Sequence, residues 1–151
     1  MDKNKWDLTK LFKSDEDFNE TINKVTKLLD EIVKYKGRIF EKTLLDFLKL
    51  DTEIDILTER IYIYAYLGYY DNMSNEEFLV KKEKANNIMN TSSSVRTFVT
   101  PEILSKDYKE VQELLSKNKE LEKYKFAFEK IFRRKEHILS EPEELLLSNV
   151  S

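Results

Sequence analysis

The chain has 151 residues, of which 40% are hydrophobic and 36% charged, with only two glycines, two prolines and no cysteine. This composition is typical of one mainly helical domain, and it excludes a disulfide framework and thiolate chemistry. The 26 basic and 29 acidic residues are well mixed and sum to a net charge of −3. Nucleic acid and membranes are therefore not expected as partners. Because there is neither a signal-peptide core nor a run of ~18 apolar residues, we expect a soluble cytoplasmic protein.

The first helix is predicted from its cap and its apolar stripe. Ser14 precedes three acidic residues, the pattern of an N-cap with acid in the first turn, and Gly37 supplies a stop. Residues 1–13, which include Trp6, are predicted to be a leader packed on the helices, since a large ring gains most from burial. The apolar stripe, repeated at helical spacing, consists of Phe18, Ile22, Val25, Leu29 and Ile32.

A long central helix is predicted over Leu44–Tyr70, with Thr43 as its cap. The half that begins at Ile61 is apolar or aromatic on every side. A helix of this kind has to be covered all round, so we expect the other segments to pack around this half. The main seam, with alternating spacings of three and four, consists of Phe47, Leu50, Ile54, Leu57, Ile61, Tyr64 and Gly68.

The third helix is predicted to begin with a capping box formed by Ser74 and Glu77. Its inner positions include the small residues Ala85 and Ser92, which allow close approach of another helix. We therefore expect the third helix to lie antiparallel against the aromatic half of the central helix. The seam of this helix consists of Phe78, Ala85, Ile88, Ser92, Val95 and Val99.

The remaining chain is predicted to form shorter helices. Pro101 marks a boundary, because the residue before proline avoids helical geometry and proline suits the first position of a helix. A later stripe from Leu121 to Phe132 predicts a fifth helix, and residues 139–151 begin a further helix that is cut short. The predicted fold is all-α, an antiparallel bundle of about five helices around the central helix, with one helical domain at 14–138.

No catalytic or metal site is predicted from the residues themselves. His137 is the only histidine, and its surroundings lack the HExxH pattern, so a structural hydrogen bond is the favoured role. Asp51 and Asp55 lie one turn apart and are expected on a solvated face, a bound cation being the weaker alternative. No acid has an apolar sequence context that would shift its pKa. A hydrolase that uses carboxylates alone is therefore the least favoured function.

Several segments together resemble the N-terminal region of oligoendopeptidase F, a family of zinc metallopeptidases. None is decisive alone, but their order and spacing cover essentially the whole chain. The segments are WDLTKLF, KYKGRI, IYIYAYLGYYDNMSNEE, RTFVTPEIL and YKFAFEKIFRRKEHILSEPEE.

The resemblance implies a cytoplasmic enzyme several times longer than this chain, which cleaves short peptides inside a mostly helical channel. In that family two histidines of an HExxH helix and a downstream glutamate bind zinc. This chain contains no HExxH, so no catalytic or metal residue is carried over, no cofactor is expected to bind, and the chain is expected to be inactive alone. The implied role is a lid or wall of the channel, with a C-terminal catalytic domain and an oligopeptide substrate as partners.

Tyr66, Tyr69 and Tyr70 are the candidate contacts to peptide, since their rings and hydroxyls suit an extended substrate. The alternative is that these tyrosines belong to the core, which is favoured most for Tyr64. A second function hypothesis is an independent helical module that binds a partner helix in an apolar groove. If the catalytic domain is absent, uncovered apolar surface near Tyr62 would let the chain self-associate.

Overall fold

The computed structural model describes residues 8–41, 44–71 and 74–135. Within these ranges the chain is helical without a β-strand, which confirms the predicted all-α class. Short 3-10 turns occur at Leu8–Lys10 and Val33–Tyr35. The α-helices are α1 (Asp15–Ile32), α2 (Leu44–Asp71), α3 (Glu76–Val95), α4 (Val99–Leu104), α5 (Tyr108–Ser116) and α6 (Lys119–Glu122), and residues 125–135 are also helical. The chain forms two compact units, Met1–Thr97 and Phe98–Ser151.

Helix α1 of the first unit begins as predicted and buries its predicted stripe except Ile22, which is only half-buried. The Ser14 hydroxyl oxygen accepts a hydrogen bond from the Asp17 N–H at 3.2 Å. After the 3-10 turn, Gly37 has a φ of +81°, a conformation that residues with a side chain rarely adopt. The predicted glycine stop is therefore confirmed. The buried residues of the stripe are Phe18, Val25, Leu29 and Ile32.

Helices α2 and α3 lie antiparallel, as predicted. Gly68, near the end of α2, faces Phe78 near the start of α3, and Asp51, near the start of α2, bonds to Arg96 at the end of α3. The contact includes the aromatic half of α2, as predicted, and continues toward the start of the helix as far as Asp51. The predicted small inner residues Ala85 and Ser92 are buried.

The boundaries of α3 and α4 differ from the prediction by a few residues. The cap of α3 is Asn75 and not Ser74, since the Asn75 side-chain oxygen accepts the Glu77 N–H at 2.8 Å. Val99, predicted on the seam of α3, belongs to α4. Pro101 is the third residue of α4. Its missing N–H costs no hydrogen bond there, because the first four N–H groups of a helix have no partner within it.

An aromatic cluster fills the core where α1, α2 and α3 meet. Tyr64 is only 6% exposed, and its ring lies 5.1 Å from that of Phe12, 5.3 Å from Phe18 and 5.8 Å from Phe78, measured between centroids. Offset and edge contacts of this kind favour aromatic rings beyond their burial. The core alternative is thus confirmed for Tyr64.

Lys81 fixes α3 to the start of α1. Its Nζ lies 2.6 Å from a carboxylate oxygen of Asp15, and it also sits 4.3 Å from the Phe78 ring centroid and 5.5 Å from that of Tyr64. A buried cation is tolerated only when a carboxylate or an aromatic face compensates it. Lys81 has both.

The aromatic half of α2 is covered on one side by the described residues. Its buried residues form a single seam, whereas Ile63 and Tyr62 are about two-fifths exposed and Tyr70 is 64% exposed. The expectation of cover all round is therefore wrong for the described chain, because α1 and α3 leave these three side chains open to solvent. The seam consists of Ile61, Tyr64, Ala65 and Gly68.

The second unit has its own small core. Tyr108 of α5 stacks on Phe132 with centroids 4.6 Å apart, and the Lys135 ammonium donates to the Leu104 carbonyl at 3.1 Å. The predicted fifth helix is divided by a turn at residues 123–124, after which helical structure resumes at 125–135. The buried side chains are Ile103, Val111, Leu115, Phe128 and Phe132.

Some predictions fall outside the described residues. These are the roles of Trp6, Thr43 and His137 and the incomplete helix at 139–151. The division into a leader at 1–13, a helical domain at 14–138 and a further helix stays a prediction.

A methyl group at Gly68 would collide with the ring of Phe78. We therefore expect Gly68→Ala to destabilise the fold by about 1–3 kcal/mol, the usual cost of overpacking. In a Phe78→Ala background the same substitution should instead stabilise α2 by up to ~1 kcal/mol, since alanine favours a helix over glycine. Urea unfolding followed by circular dichroism measures both steps. An equal effect in the two backgrounds would contradict the close contact.

Candidate functional site

Tyrosines line an exposed side of α2. Tyr62 and Tyr66 stack with centroids 4.2 Å apart and planes at 26°, and Tyr70 follows 6.1 Å beyond Tyr66. These three residues are spaced four apart, which places their side chains one above another on a helix. Tyr69 joins them 5.8 Å from Tyr70. We call these four residues the tyrosine row.

Helix α3 adds polar groups to the tyrosine row. The Tyr66 hydroxyl donates to the Asn86 side-chain oxygen at 2.8 Å. The Lys82 ammonium lies 4.3 Å from the ring centroid of Tyr69 and 5.5 Å from that of Tyr66. Among the described residues, Lys82 makes no ion pair with a carboxylate. Within the described ranges, the positive charge of Lys82 is therefore balanced by aromatic faces alone.

A cavity of about 340 Å³ opens between α2 and α3 beyond Tyr62. Two of its wall residues, Asp55 and Glu59, are acidic, and Met89 provides a flexible apolar wall. We call this cavity the acidic cleft. Its remaining lining residues are Thr58, Ser92, Ser93 and Arg96.

Arg96 closes the acidic cleft from the α3 side. Its Nη1 lies 2.8 Å from a carboxylate oxygen of Asp51 and 2.7 Å from one of Asp55, and its Nη2 donates to the Ser92 hydroxyl at 2.8 Å. The side chain of Asp51 is 27% exposed. The expectation of a solvated face is therefore wrong for Asp51, which is bound to a guanidinium and largely shielded by the helix pair.

Burial raises the pKa of Asp51 above its ordinary value of 3.8, and the hydrogen bond and charge of Arg96 only partly oppose this. The prediction that no acid has a shifted pKa is therefore wrong for this residue. Burial by itself would lower the pKa of Arg96, but the hydrogen bonds to Asp55 and Asp51 and their charges outweigh this effect. The pKa of Arg96 is therefore raised above its ordinary value, and the guanidinium stays protonated. Since the folded state binds the Asp51 proton more tightly than the unfolded state, ionisation of Asp51 costs stability as the pH rises through its pKa.

The structure brings the predicted contacts Tyr66, Tyr69 and Tyr70 together on one surface. Whether they contact peptide stays a prediction. Sequence reasoning missed Lys82 and Arg96. Lys82 and Asn86 are four residues apart, and this spacing indicates that they share one face of α3. The carboxylate partners of Arg96 could be identified only once the register of the two helices was known.

Within the described ranges, histidine, cysteine and acidic residues nowhere cluster in threes as a metal site would require. The helices of the same ranges are all too short or too polar to span a membrane.

A family model described as Oligopeptidase F matches residues 102–151. The relatives that match over nearly the whole chain include three oligopeptidases. Oligopeptidase PepF of Bacillus subtilis is 30% identical over 97% of this chain, Group B oligopeptidase PepB of Streptococcus agalactiae 28% over 99%, and an oligoendopeptidase F homolog of Borreliella burgdorferi 31% over 96%. The chain spans only 22 to 25% of the length of these relatives. No solved structure matches the chain at a significant level.

Arg96→Met is expected to destabilise the fold by about 1–3 kcal/mol at neutral pH, because it leaves Asp51 and Ser92 without their partner. The loss should shrink as the pH falls from neutral, since Asp51 without Arg96 has a still higher pKa and takes up its proton more readily in the folded state. Urea unfolding at neutral and lower pH measures the difference.

The matched control for this prediction is Arg60→Met, which removes an exposed arginine from the same helix pair. A second substitution, Asp51→Asn, added to Arg96→Met should recover part of the lost stability, because it removes the uncompensated charge. A destabilisation independent of pH and unaffected by Asp51→Asn would contradict the role assigned to the ion pair.

Proposed function

We propose that this chain, which is similar over nearly its whole length to oligoendopeptidase F and matches the N-terminal family model of that enzyme, forms a lid or wall of a peptide channel in a longer, zinc-dependent cytoplasmic peptidase. The observation that supports this role is the exposed tyrosine row on α2, whose members Tyr62 and Tyr70 remain open to solvent. Tyrosine rings offer apolar area and a hydroxyl to an extended peptide at low entropic cost. The relatives are themselves named as oligopeptidases.

The residues of this chain do not fit the zinc site of such an enzyme. The sequence has one histidine, no cysteine and no HExxH, and a catalytic zinc site requires three protein ligands. We therefore assign no step of peptide hydrolysis to this chain. Its proposed contribution is to hold peptide and to exclude water, which strengthens the electrostatic interactions of a catalytic site.

Exposed apolar side chains support a partner domain from the same polypeptide. Ile63 on α2 and Leu79 and Val80 on α3 are each more than a third exposed. Leu79 and Val80 are adjacent in the sequence, and neighbouring exposed aliphatic side chains often mark an interface. In the proposal a C-terminal catalytic domain covers them, and without that domain the chain self-associates through them.

The purified 151-residue chain, supplied with zinc, is expected not to hydrolyse an internally quenched oligopeptide, because it lacks the residues that bind and activate a zinc-bound water. A complete relative such as Oligopeptidase PepF of Bacillus subtilis, assayed in parallel, is the positive control. Turnover by the 151-residue chain that a chelator abolishes would contradict the proposal.

The alternative function is an independent helical module that binds a partner helix, and the same exposed aliphatic residues favour it. The reading frame after Ser151 separates the two functions. We expect sequencing to find an HExxH within a few hundred codons. A stop codon directly after Ser151 would contradict the channel-wall proposal and favour the interaction module.

A further inference from the structure

The tyrosine row and the acidic cleft form one continuous surface on α2 and α3. Tyr62 belongs to both, since it lines the cleft and stacks on Tyr66. Lys82 marks one end of this surface with a positive charge, and Asp55 and Glu59 mark the other with negative charge. The surface therefore has two ends of opposite sign.

The negative end remains negative despite Arg96. One guanidinium is shared between Asp51 and Asp55, so these three groups keep one net negative charge when both carboxylates are ionised. Glu59 adds a second. The middle of the surface carries no charge, since residues 61–70 of α2 and 85–95 of α3 contain no acidic or basic side chain.

The distance between the two ends corresponds to a short peptide. Glu59 and Tyr69, the residue beneath Lys82, are ten positions apart on α2, which is roughly 15 Å at 1.5 Å per residue. An extended chain advances about 3.3–3.6 Å per residue, so four or five residues cover this distance.

We propose that this surface binds an extended peptide of four or five residues with both termini free. The peptide ammonium group lies in the acidic cleft beside Asp55 and Glu59, its side chains lie over the tyrosine row, and its carboxylate pairs with Lys82. The peptide thus runs parallel to α2. This inference rests on the proposed function, in which the tyrosine row contacts peptide, and adds the direction and the terminal groups that are recognised.

Nuclear magnetic resonance titration of the isotope-labelled chain tests the proposal. The probe is the pentapeptide Ala-Ala-Phe-Ala-Ala in four forms, namely unmodified, N-acetylated, C-amidated and with both blocks. We expect the unmodified form to bind most tightly and to shift backbone signals of the tyrosine row and of residues 82–93. Each block should weaken binding about two- to fivefold, the effect of one exposed ion pair.

Two charge reversals assign the ends. In Lys82→Glu, amidation should no longer weaken binding but strengthen it, because it removes a carboxylate that faces a like charge, and the effect of acetylation should be unchanged. In Glu59→Lys, the weakening by acetylation should be lost and the effect of amidation should be unchanged. The ends act separately because their separation exceeds the Debye length of about 8 Å at physiological salt. Lys84→Glu on α3 and Asp30→Lys on α1 make the same charge changes at other exposed positions and should alter neither effect.

The outcomes separate this inference from the proposed function. Peptide could bind at the tyrosine row with an affinity that neither terminal block and neither charge reversal changes. This result would overturn the proposed recognition of the peptide termini and remain consistent with the proposed channel wall. If amidation and acetylation act with the ends exchanged, the proposed direction is wrong. No signal shift with any of the four peptides, or shifts confined to other surfaces, would overturn both the inference and the peptide contacts of the tyrosine row.

Discussion

Helices α2 and α3 are held together at both ends by interactions of different kinds. At one end Gly68 lacks a side chain, which lets the ring of Phe78 approach the backbone of α2. At the other end Arg96 bonds to Asp51. Sliding or rotation of one helix against the other would open the packed contact or leave the partly buried charges of Asp51 and Arg96 unpaired, and both are costly. The fixed register is what brings Lys82 onto the tyrosine row.

The aromatic half of α2 meets two opposing requirements. Its seam has to pack against α1 and α3, as Tyr64 does, while its outer side is exposed in the described chain. Tyrosine suits such an outer side, because the ring packs and the hydroxyl remains hydrated. Ile63 has no polar group, so its exposure is unfavourable unless another part of a longer protein covers it. The tyrosine row therefore suits a surface that is exposed to water and also one that is covered by a bound group.

Much of the fold follows from local sequence patterns. Ser14 and Gly37 act through their own backbone neighbourhood, so the limits of the first helical region could be predicted. The antiparallel placement of α3 could also be predicted, since a short connection between two amphipathic helices leaves few alternatives. Asn75 in place of Ser74 as the cap of α3 is the kind of one-residue difference that adjacent capping residues allow.

The candidate site was predictable only in part. Tyr66, Tyr69 and Tyr70 could be placed on one surface because helical spacing alone brings them together. Arg96 could not be paired with its carboxylates, because 45 positions separate it from Asp51 and the pairing depends on the helix register. The raised pKa of Asp51 also depends on the helix register. The residues that flank Asp51 in the sequence do not indicate that α3 buries it.

The distribution of charge gives the surface its polarity. In a chain with 36% charged residues, residues 61–70 of α2 and 85–95 of α3 are free of charge, and the proposed surface carries charge only at its two ends. An uncharged middle lowers the cost of removing water from a peptide backbone laid across it, because no ion there has to be desolvated. Affinity then comes from the tyrosine rings, while Lys82 and Glu59 select the orientation. A surface of this kind accepts many side chains and still distinguishes the two ends of a peptide.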